Sequence, residues 1–409
     1  MNCRYCDTPL EHTFIDLGFA PPSNAYLTAD HLNRPELYFP LKVKVCHHCW
    51  LVQTEDYARS DELFTSDYAY FSSTSSSWLN HAKDYTDKTI PELKLGNQSF
   101  VIEVASNDGY LLKNFLNAGI PCVGIEPTDS TAEAAESIGI PVLREFFSAA
   151  LGEKLAQDDM QADLIIGNNV YAHVPKILDF TKGLKRALKR GGTINLEFPH
   201  VMRLIEQAQF DTIYHEHFSY LSLDIVRNVF ASEGLRVFDV EELATHGGSL
   251  RIHGCHDDDD RETKAAVRDL LQRERDFGLD KLKTYQGFQI KANSLKNELL
   301  GFLIKQKANG KIVVGYGAAA KGNTILNYAG IKSDLLPSVF DASKAKQGKF
   351  LPGSHIPIKS PKDLASADVD YILILPWNIS SELIQELKAN SLKRATFVLA
   401  IPELRLLSL

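Results

Sequence analysis

The sequence predicts an α/β protein of three domains, and three observations carry that prediction. Two C-x-x-C pairs lie near the N-terminus, "CRYC" (Cys3, Cys6) and "CHHC" (Cys46, Cys49). "SFVIEVASNDGYLLKNFLNAGIPCVGIEPT" reads as strand, loop, amphipathic helix and second strand, the opening of a nucleotide-binding βαβ unit. "KIVVGYGAAAKGNTILNYAG" repeats strand, glycine loop and helix closer to the C-terminus. A length of 409 residues accommodates such a plan at about 100 to 200 residues per domain. The expected boundaries are 1–66 for a metal-binding domain, 67–256 for the central unit, and 257–409 for a helical bridge with the last unit.

The cysteine pairs justify the first domain. Each C-x-x-C turn points two thiolates at one site, and two such turns about forty residues apart complete a tetrahedral soft-ligand shell suited to zinc. Cys3, Cys6, Cys46 and Cys49 are therefore the expected ligands, with His47 and His48 left over. Four thiolates leave no open position for substrate, so the expected zinc is structural, holding together a segment with few apolar runs. Six cysteines in a chain of this length do not make a disulfide scaffold, and Cys122 falls in an apolar strand, where core is its simplest role.

Composition narrows the partners. The chain is 44% hydrophobic and 23% charged, with a formal net charge of −8, one short acidic run at Asp257–Asp260 and no Lys/Arg block. Nucleic acid is excluded as a first partner on that charge. No apolar stretch approaches the roughly 18 residues of a membrane span, and the N-terminus lacks a secretion signature. A monomeric cytoplasmic protein is expected.

The central unit departs from the dinucleotide fingerprint. Its loop carries Ala105, Ser106, Asn107 and Asp108 before the one glycine, Gly109, and the first strand ends in an acid, Glu103. An acid there repels a pyrophosphate and pairs with the amino group of a cationic ligand such as S-adenosylmethionine. Glu126, about 23 residues after Glu103, ends the second strand, where ribose hydroxyls are bound. Further strands at "ADLIIGNNVYAHV", "GGTINLEFP", "LRVFDVEEL" and "GGSLRIHGC" follow, the last two forming a hairpin that closes a mostly parallel sheet. This arrangement resembles the class I methyltransferase fold. Ligands in such sheets lie beyond the carboxyl ends of the strands, which brings Asn168, Asn169 and His173 to the site.

"TIYHEHFSYLS" (Thr212–Ser222) concentrates two histidines, a glutamate and two tyrosines. On the residues alone it supports catalysis, a buried strand edge with satisfied histidines, or a second metal site, since His215 and His217 share a face if the segment is extended.

Together "EVASNDGYLL", "GIEPT", "NNVYAHV", "YHEHFSYLS", "GYGAAAKGNT" and "KQGKFLPGSHIP", preceded by the cysteine pairs, resemble the zinc-containing, S-adenosylmethionine-dependent C-methyltransferases of nucleotide-linked 4-keto-6-deoxy sugars. The likeness covers nearly the whole chain, in order. It implies a zinc domain, a central S-adenosylmethionine domain and a C-terminal Rossmann-like domain, with the keto sugar held between them. It also implies His217 as the base that removes a proton beside the ketone, Glu216 and Tyr214 lining the same site, and His173 and Tyr68 hydrogen-bonding the sugar or its enolate.

The last unit has a second reading. Gly315, Gly317 and Ala320 with Asp341 about 24 residues on match the dinucleotide pattern, which keeps a nicotinamide-dependent sugar oxidoreductase open. Lys321 in the loop favours instead a phosphate cradle, in which Gly315, Gly317, Lys321 and Asn323 face the substrate's pyrophosphate. Tight strand-to-helix packing alone is the plainest role for the glycines, and a non-catalytic binding module is the third function compatible with the chain.

Overall fold

In the computed structural model, residues 1–55, 71–364, 367–389 and 395–407 are described. Tyr68 lies outside them. Seventeen strands are named among these residues, in three sheets. The N-terminal region contributes β1 (His12–Ala20), β2 (Phe39–Val45) and β3 (Val52–Thr54). In the central region are β4 (Val101–Val104), β5 (Cys122–Ile125), β6 (Val142–Leu143), β7 (Ala162–Asn168) and β8 (Leu188–Pro199). They are followed by β9 (Ser219–Tyr220), β10 (Leu235–Leu243) and β11 (Ser249–His256).

The central sheet has the order β10-β11-β8-β7-β4-β5-β6. β4 to β8 pair in parallel, while β11 pairs antiparallel with both β8 and β10. The expected hairpin at one end of a parallel sheet is therefore present. Its strands read as continuous apolar runs because both faces are covered: Val101, Ile102, Leu164, Ile165, Ile166 and Ile194 are all fully buried. Cys122 is core, as expected.

The C-terminal sheet contains β12 (Val313–Tyr316), β13 (Val339–Phe340), β14 (Ile358–Lys359), β15 (Tyr371–Ile374), β16 (Thr396–Leu399) and β17 (Arg405–Leu407). Its order is β14-β13-β12-β15-β16-β17, parallel except for β17 at the edge. Helices Ala265–Phe277 and Phe288–Ala308 precede it in the chain.

One strand crosses between regions and matters for function. β9 leaves the central region and pairs with β3, so that the N-terminal sheet runs β1-β2-β3-β9. Its cores are also shared. Phe14 of β1 stacks on Phe288 of helix Phe288–Ala308 at 4.5 Å, and Cys3, Cys46 and Leu51 pack in one cluster with Val104 and Tyr171 of the central region. No helix among the described residues is long and apolar enough to cross a membrane.

Candidate active site and metal centre

The four cysteines converge as their spacing requires. Cys3 Sγ lies 3.5 Å from Cys49 Sγ and Cys6 Sγ 3.6 Å from Cys46 Sγ, with all four sulfurs within 4.8 Å of one another. Zn–S bonds of about 2.3 Å in a tetrahedron put sulfurs about 3.8 Å apart, so the set fits zinc. Asp7 and Trp50 adopt left-handed backbone (φ 59° and 65°) to close the two knuckles, and Gln53 Nε2 donates to Cys3 Sγ at 3.2 Å. His47 and His48 are exposed beside this closed shell.

At the carboxyl end of the central sheet the backbone is strained at three non-glycine positions, Ala105 (φ 56°), Asn107 (φ 50°) and Asn169 (φ 54°), a pattern that clusters at ligand sites. Gly109 is required between them: its φ is +75°, and a Cβ would stand 2.3 Å from Ile140 Cδ1. Glu126 accepts from the amides of Asn107 and Thr128, both at 3.0 Å, which shapes the loop. Asn107 and Asp108 accept in turn from the amides of Ser72 and Ser73. Asn168 Nδ2 is 3.3 Å from the Tyr110 hydroxyl.

Glu103 is the outlier. It is buried, neither of its carboxylate oxygens has a hydrogen-bond partner among the described residues, and Ser106 Oγ and Asp108 Oδ1 are in the same condition. Burial, reinforced by the charges of Asp108 and Glu126, holds the Glu103 carboxyl well above the usual carboxylate range. A buried acceptor without a donor costs about 1 to 3 kcal/mol, and a ligand bearing an ammonium group removes that cost. These residues thus fit S-adenosylmethionine, whose amino-acid end carries an ammonium group that can donate to Glu103.

The histidine-rich stretch is not an extended strand before β9. His215 and Glu216 form a turn, and the amide of His217 donates to the Tyr214 carbonyl at 3.0 Å. His215 Nε2 turns away to the carbonyls of Phe39 and Pro40, 3.3 and 3.2 Å distant. His215 and His217 do not share a face, and among the described residues no metal-ligand group contains either. The second-metal reading of this stretch fails on that geometry.

His217 instead gathers the remaining groups. Its ring centroid is 3.9 Å from that of Tyr214 and 4.6 Å, edge-on, from that of His173. Its Nδ1 lies 2.8 Å from the Thr212 carbonyl, and Nε2 has no hydrogen-bond partner among the described residues. Burial, followed by the neighbouring His173, pushes His217 well below 6.5. His173, in the turn Tyr171–His173 after β7, is lowered to about 4, mainly by burial. Glu216 is buried and accepts from Asn24 Nδ2 at 2.7 Å, a contact from the N-terminal region.

The C-terminal region closes the site from the third side. Lys321 Nζ donates to Asn378 Oδ1 at 2.6 Å and stands 4.9 Å from the centroid of the Trp377 ring. Trp377 Nε1 donates to Asp211 Oδ2 at 2.7 Å. The Asp211 carboxyl is pushed up to about 6 by burial, with Lys321 pulling it down. Asn323 Nδ2 donates to the Ser23 carbonyl at 2.6 Å. Gly315 and Gly317 are taken up by packing: added Cβ atoms would stand 2.8 Å from Val339 Cγ2 and 2.4 Å from Pro376 Cδ. Asp341, the acid of the dinucleotide pattern, accepts from the amides of Ala318 and Ser343, both at 2.7 Å.

Sequence reasoning misses several residues here. His246, in the β10–β11 turn, has a left-handed backbone (φ 54°), accepts at Nε2 from Asn169 Nδ2 at 2.8 Å, and is lowered to about 4 by burial and by Lys321. Its visible signal is a histidine beside two glycines. Asn24, Asp211 and Trp377 carry no comparable local signal, because each reaches the site only through tertiary contact.

The seven-stranded sheet with its single hairpin, and the buried acids at the ends of β4 and β5, define a class I methyltransferase, with S-adenosylmethionine as methyl donor. The family models and a relative that spans the chain agree. Family models match residues 3–64 ("zinc binding domain"), 79–240 ("Methyltransferase domain") and 244–402 ("C-methyltransferase C-terminal domain"). The chain is 34% identical to the C-methyltransferase NovU of Streptomyces niveus over 407 residues, 100% of this chain and 97% of that one. It is also 30% identical to an uncharacterized methyltransferase of Mycobacterium leprae over 98 residues, 24% of this chain and 36% of that one. The magnesium protoporphyrin IX methyltransferase ChlM of Synechocystis, solved with S-adenosylmethionine, aligns at 14% identity and a TM-score of 0.33, covering 44% of this chain and 81% of its own. The chain belongs to the C-methyltransferase family that joins a zinc-binding, a methyltransferase and a C-terminal C-methyltransferase domain.

Proposed function

We propose that this C-methyltransferase acts on a carbon beside the ketone of a nucleotide-linked 4-keto-6-deoxy sugar, by way of an enolate. The observation that carries the reading is His217: neutral, with Nδ1–H committed to a carbonyl and Nε2 left to accept a proton. Attack by carbon requires a carbanion equivalent, and a carbon beside a ketone provides one once a base removes its proton. His217 Nε2 takes that proton, and the electron pair moves onto the ketone oxygen. Tyr214, His173 and Tyr68 hydrogen-bond the sugar or its enolate. S-adenosylmethionine supplies the methyl group as a sulfonium, losing its positive charge in the transfer.

Glu103 and the loop Ala105, Ser106, Asn107, Asp108, Gly109 hold the amino-acid end of the donor, Glu126 takes its ribose hydroxyls, and Asn168 and Asn169 complete that side. Lys321 supplies charge for the substrate's pyrophosphate from the start of the helix after the loop, while Gly315 and Gly317 keep that loop packed and Asn323 ties it to the Ser23 carbonyl. The nucleotide half of the substrate is what the third domain is for. Holding both reactants in near-attack geometry contributes several kcal/mol of the catalysis.

The oxidoreductase reading is disfavoured by the match of residues 244–402, which include this loop, to a C-methyltransferase C-terminal domain. The test is mass spectrometry of a panel of nucleotide-linked keto sugars with enzyme and S-adenosylmethionine. A mass gain of one methyl group on a keto sugar is expected. No gain on any keto sugar, or NADH oxidation that depends on Gly317, would overturn the reading.

A further inference from the structure

We propose that Arg4, inside the first cysteine knuckle, is a positioning residue that locks the His173 loop and the His217 loop into one frame. The proposal rests on the reading of His217 as the base. Arg4 Nη1 donates to the carbonyl of Pro175, two residues past His173, at 3.2 Å. Its Nη2 donates to the carbonyl of Thr54 at 3.0 Å, and the guanidinium carbon stands 5.5 Å from the centroid of the ring of Phe218, the residue after His217.

Those three contacts close a circuit. Thr54 Oγ1 donates to the His217 carbonyl at 3.2 Å, and the Thr54 amide donates to the Phe218 carbonyl at 3.1 Å. The Phe218 amide donates to the carbonyl of Ala172, next to His173, at 2.9 Å. Each loop is thus tied to the other directly and, through Arg4, a second time. The arginine is itself fixed at its base: its amide donates to Gln53 Oε1 at 2.9 Å, and Gln53 Nε2 donates to Cys3 Sγ at 3.2 Å.

The chemistry calls for arginine here. A planar guanidinium donates in two directions and lies against an aromatic ring at once, whereas a lysine ammonium is a single point donor. What the frame protects is the edge-on approach of His173 to His217, 4.6 Å between ring centres. The cysteine knuckle thereby does more than stabilise its own domain: it mounts a side chain that spans both loops.

The test uses the whole zinc-loaded chain carrying Arg4→Ala, Arg4→Lys or Phe218→Leu. Three readouts are taken: zinc content, the imidazole nitrogen NMR signals of His173 and His217, and kcat separately from KM. Arg4→Ala is expected to keep its zinc and its S-adenosylmethionine affinity, to shift or broaden the His217 signals, and to lose about 10- to 100-fold in kcat with KM nearly unchanged. Added guanidine should restore part of the loss, and Arg4→Lys should recover less than half of it. Wild-type imidazole signals and wild-type kcat in Arg4→Ala would overturn the proposal. If Arg4→Ala loses zinc, Phe218→Leu decides, since it leaves the knuckle untouched and removes the ring the guanidinium lies against: the same imidazole change and fall in kcat are expected, and wild-type behaviour overturns the proposal. Should wild type methylate no keto sugar, the substrate reading fails, while the imidazole signals still report on Arg4.

Discussion

His217 Nδ1 lies 2.8 Å from the carbonyl oxygen of Thr212. A carbonyl only accepts, so Nδ1 carries the proton of the neutral ring and the lone pair is at Nε2. One backbone contact therefore fixes which nitrogen is free to accept a proton.

The acid limb of kcat/KM should report this. His217 is held well below 6.5 by burial and by His173. A histidine with a lowered pKa stays in its basic form as pH falls, so activity should persist below pH 6.5 before it declines. The pH dependence of kcat/KM checks it, and a limb above 6.5 assigned to His217 would contradict the geometry.

Fold stability should fall over a related window. His173 and His246 are each lowered to about 4. The unfolded chain takes up protons near 6.5 that the folded chain refuses until about 4. Their contribution is complete above pH 6.5 and is lost as pH falls towards 4, at most about 3 kcal/mol each. Asp211, raised to about 6, works in the opposite direction. Replacing His246 with Asn should make the drop in denaturation midpoint between pH 7 and pH 5 smaller than in wild type.

Glu103 should trade stability for cofactor binding. Glu103→Gln removes a buried carboxyl that faces Asp108 and Glu126 without a partner. The ligand-free protein should melt at a higher temperature, and S-adenosylmethionine should bind more weakly by calorimetry. Glu126→Ala should weaken the same binding by about 1.5 to 3 kcal/mol. Undiminished affinity in both variants would place the cofactor elsewhere.

These sites differ in how far the sequence discloses them. Ligand spacing in the cysteine knuckles is local, so Cys3, Cys6, Cys46 and Cys49 are legible. The alternation of apolar strands with amphipathic helices is local too, and so is the hairpin at "ATHGGS". By contrast, β9 is two residues long and joins the N-terminal sheet by pairing with β3, more than 160 residues earlier in the chain. That pairing sets where His217 stands, and no periodicity encodes it. His246 is a single residue in a turn, and Trp377 meets Asp211 only when the third sheet docks on the second. The extended geometry that a shared face for His215 and His217 would require is not adopted, because the turn at His215–Glu216 overrides the residues' alternation.

Zinc removal should reach the active site through that same pairing. One zinc per chain is expected by elemental analysis, with Cys46→Ala losing it. Chelation should then unfold the N-terminal sheet and with it β9, abolishing methyl transfer. Folded, active protein with near-zero zinc would contradict the structural role.

The base itself is tested most directly by solvent deuterium exchange. With a nucleotide-linked keto sugar and S-adenosylhomocysteine, wild type should exchange the proton at the carbon beside the ketone without transferring a methyl group. His217→Ala and His217→Asn should bind S-adenosylmethionine as wild type does and lose exchange by about 10² to 10⁴. Exchange at the wild-type rate in either folded, zinc-containing variant would contradict the assignment of His217 as the base.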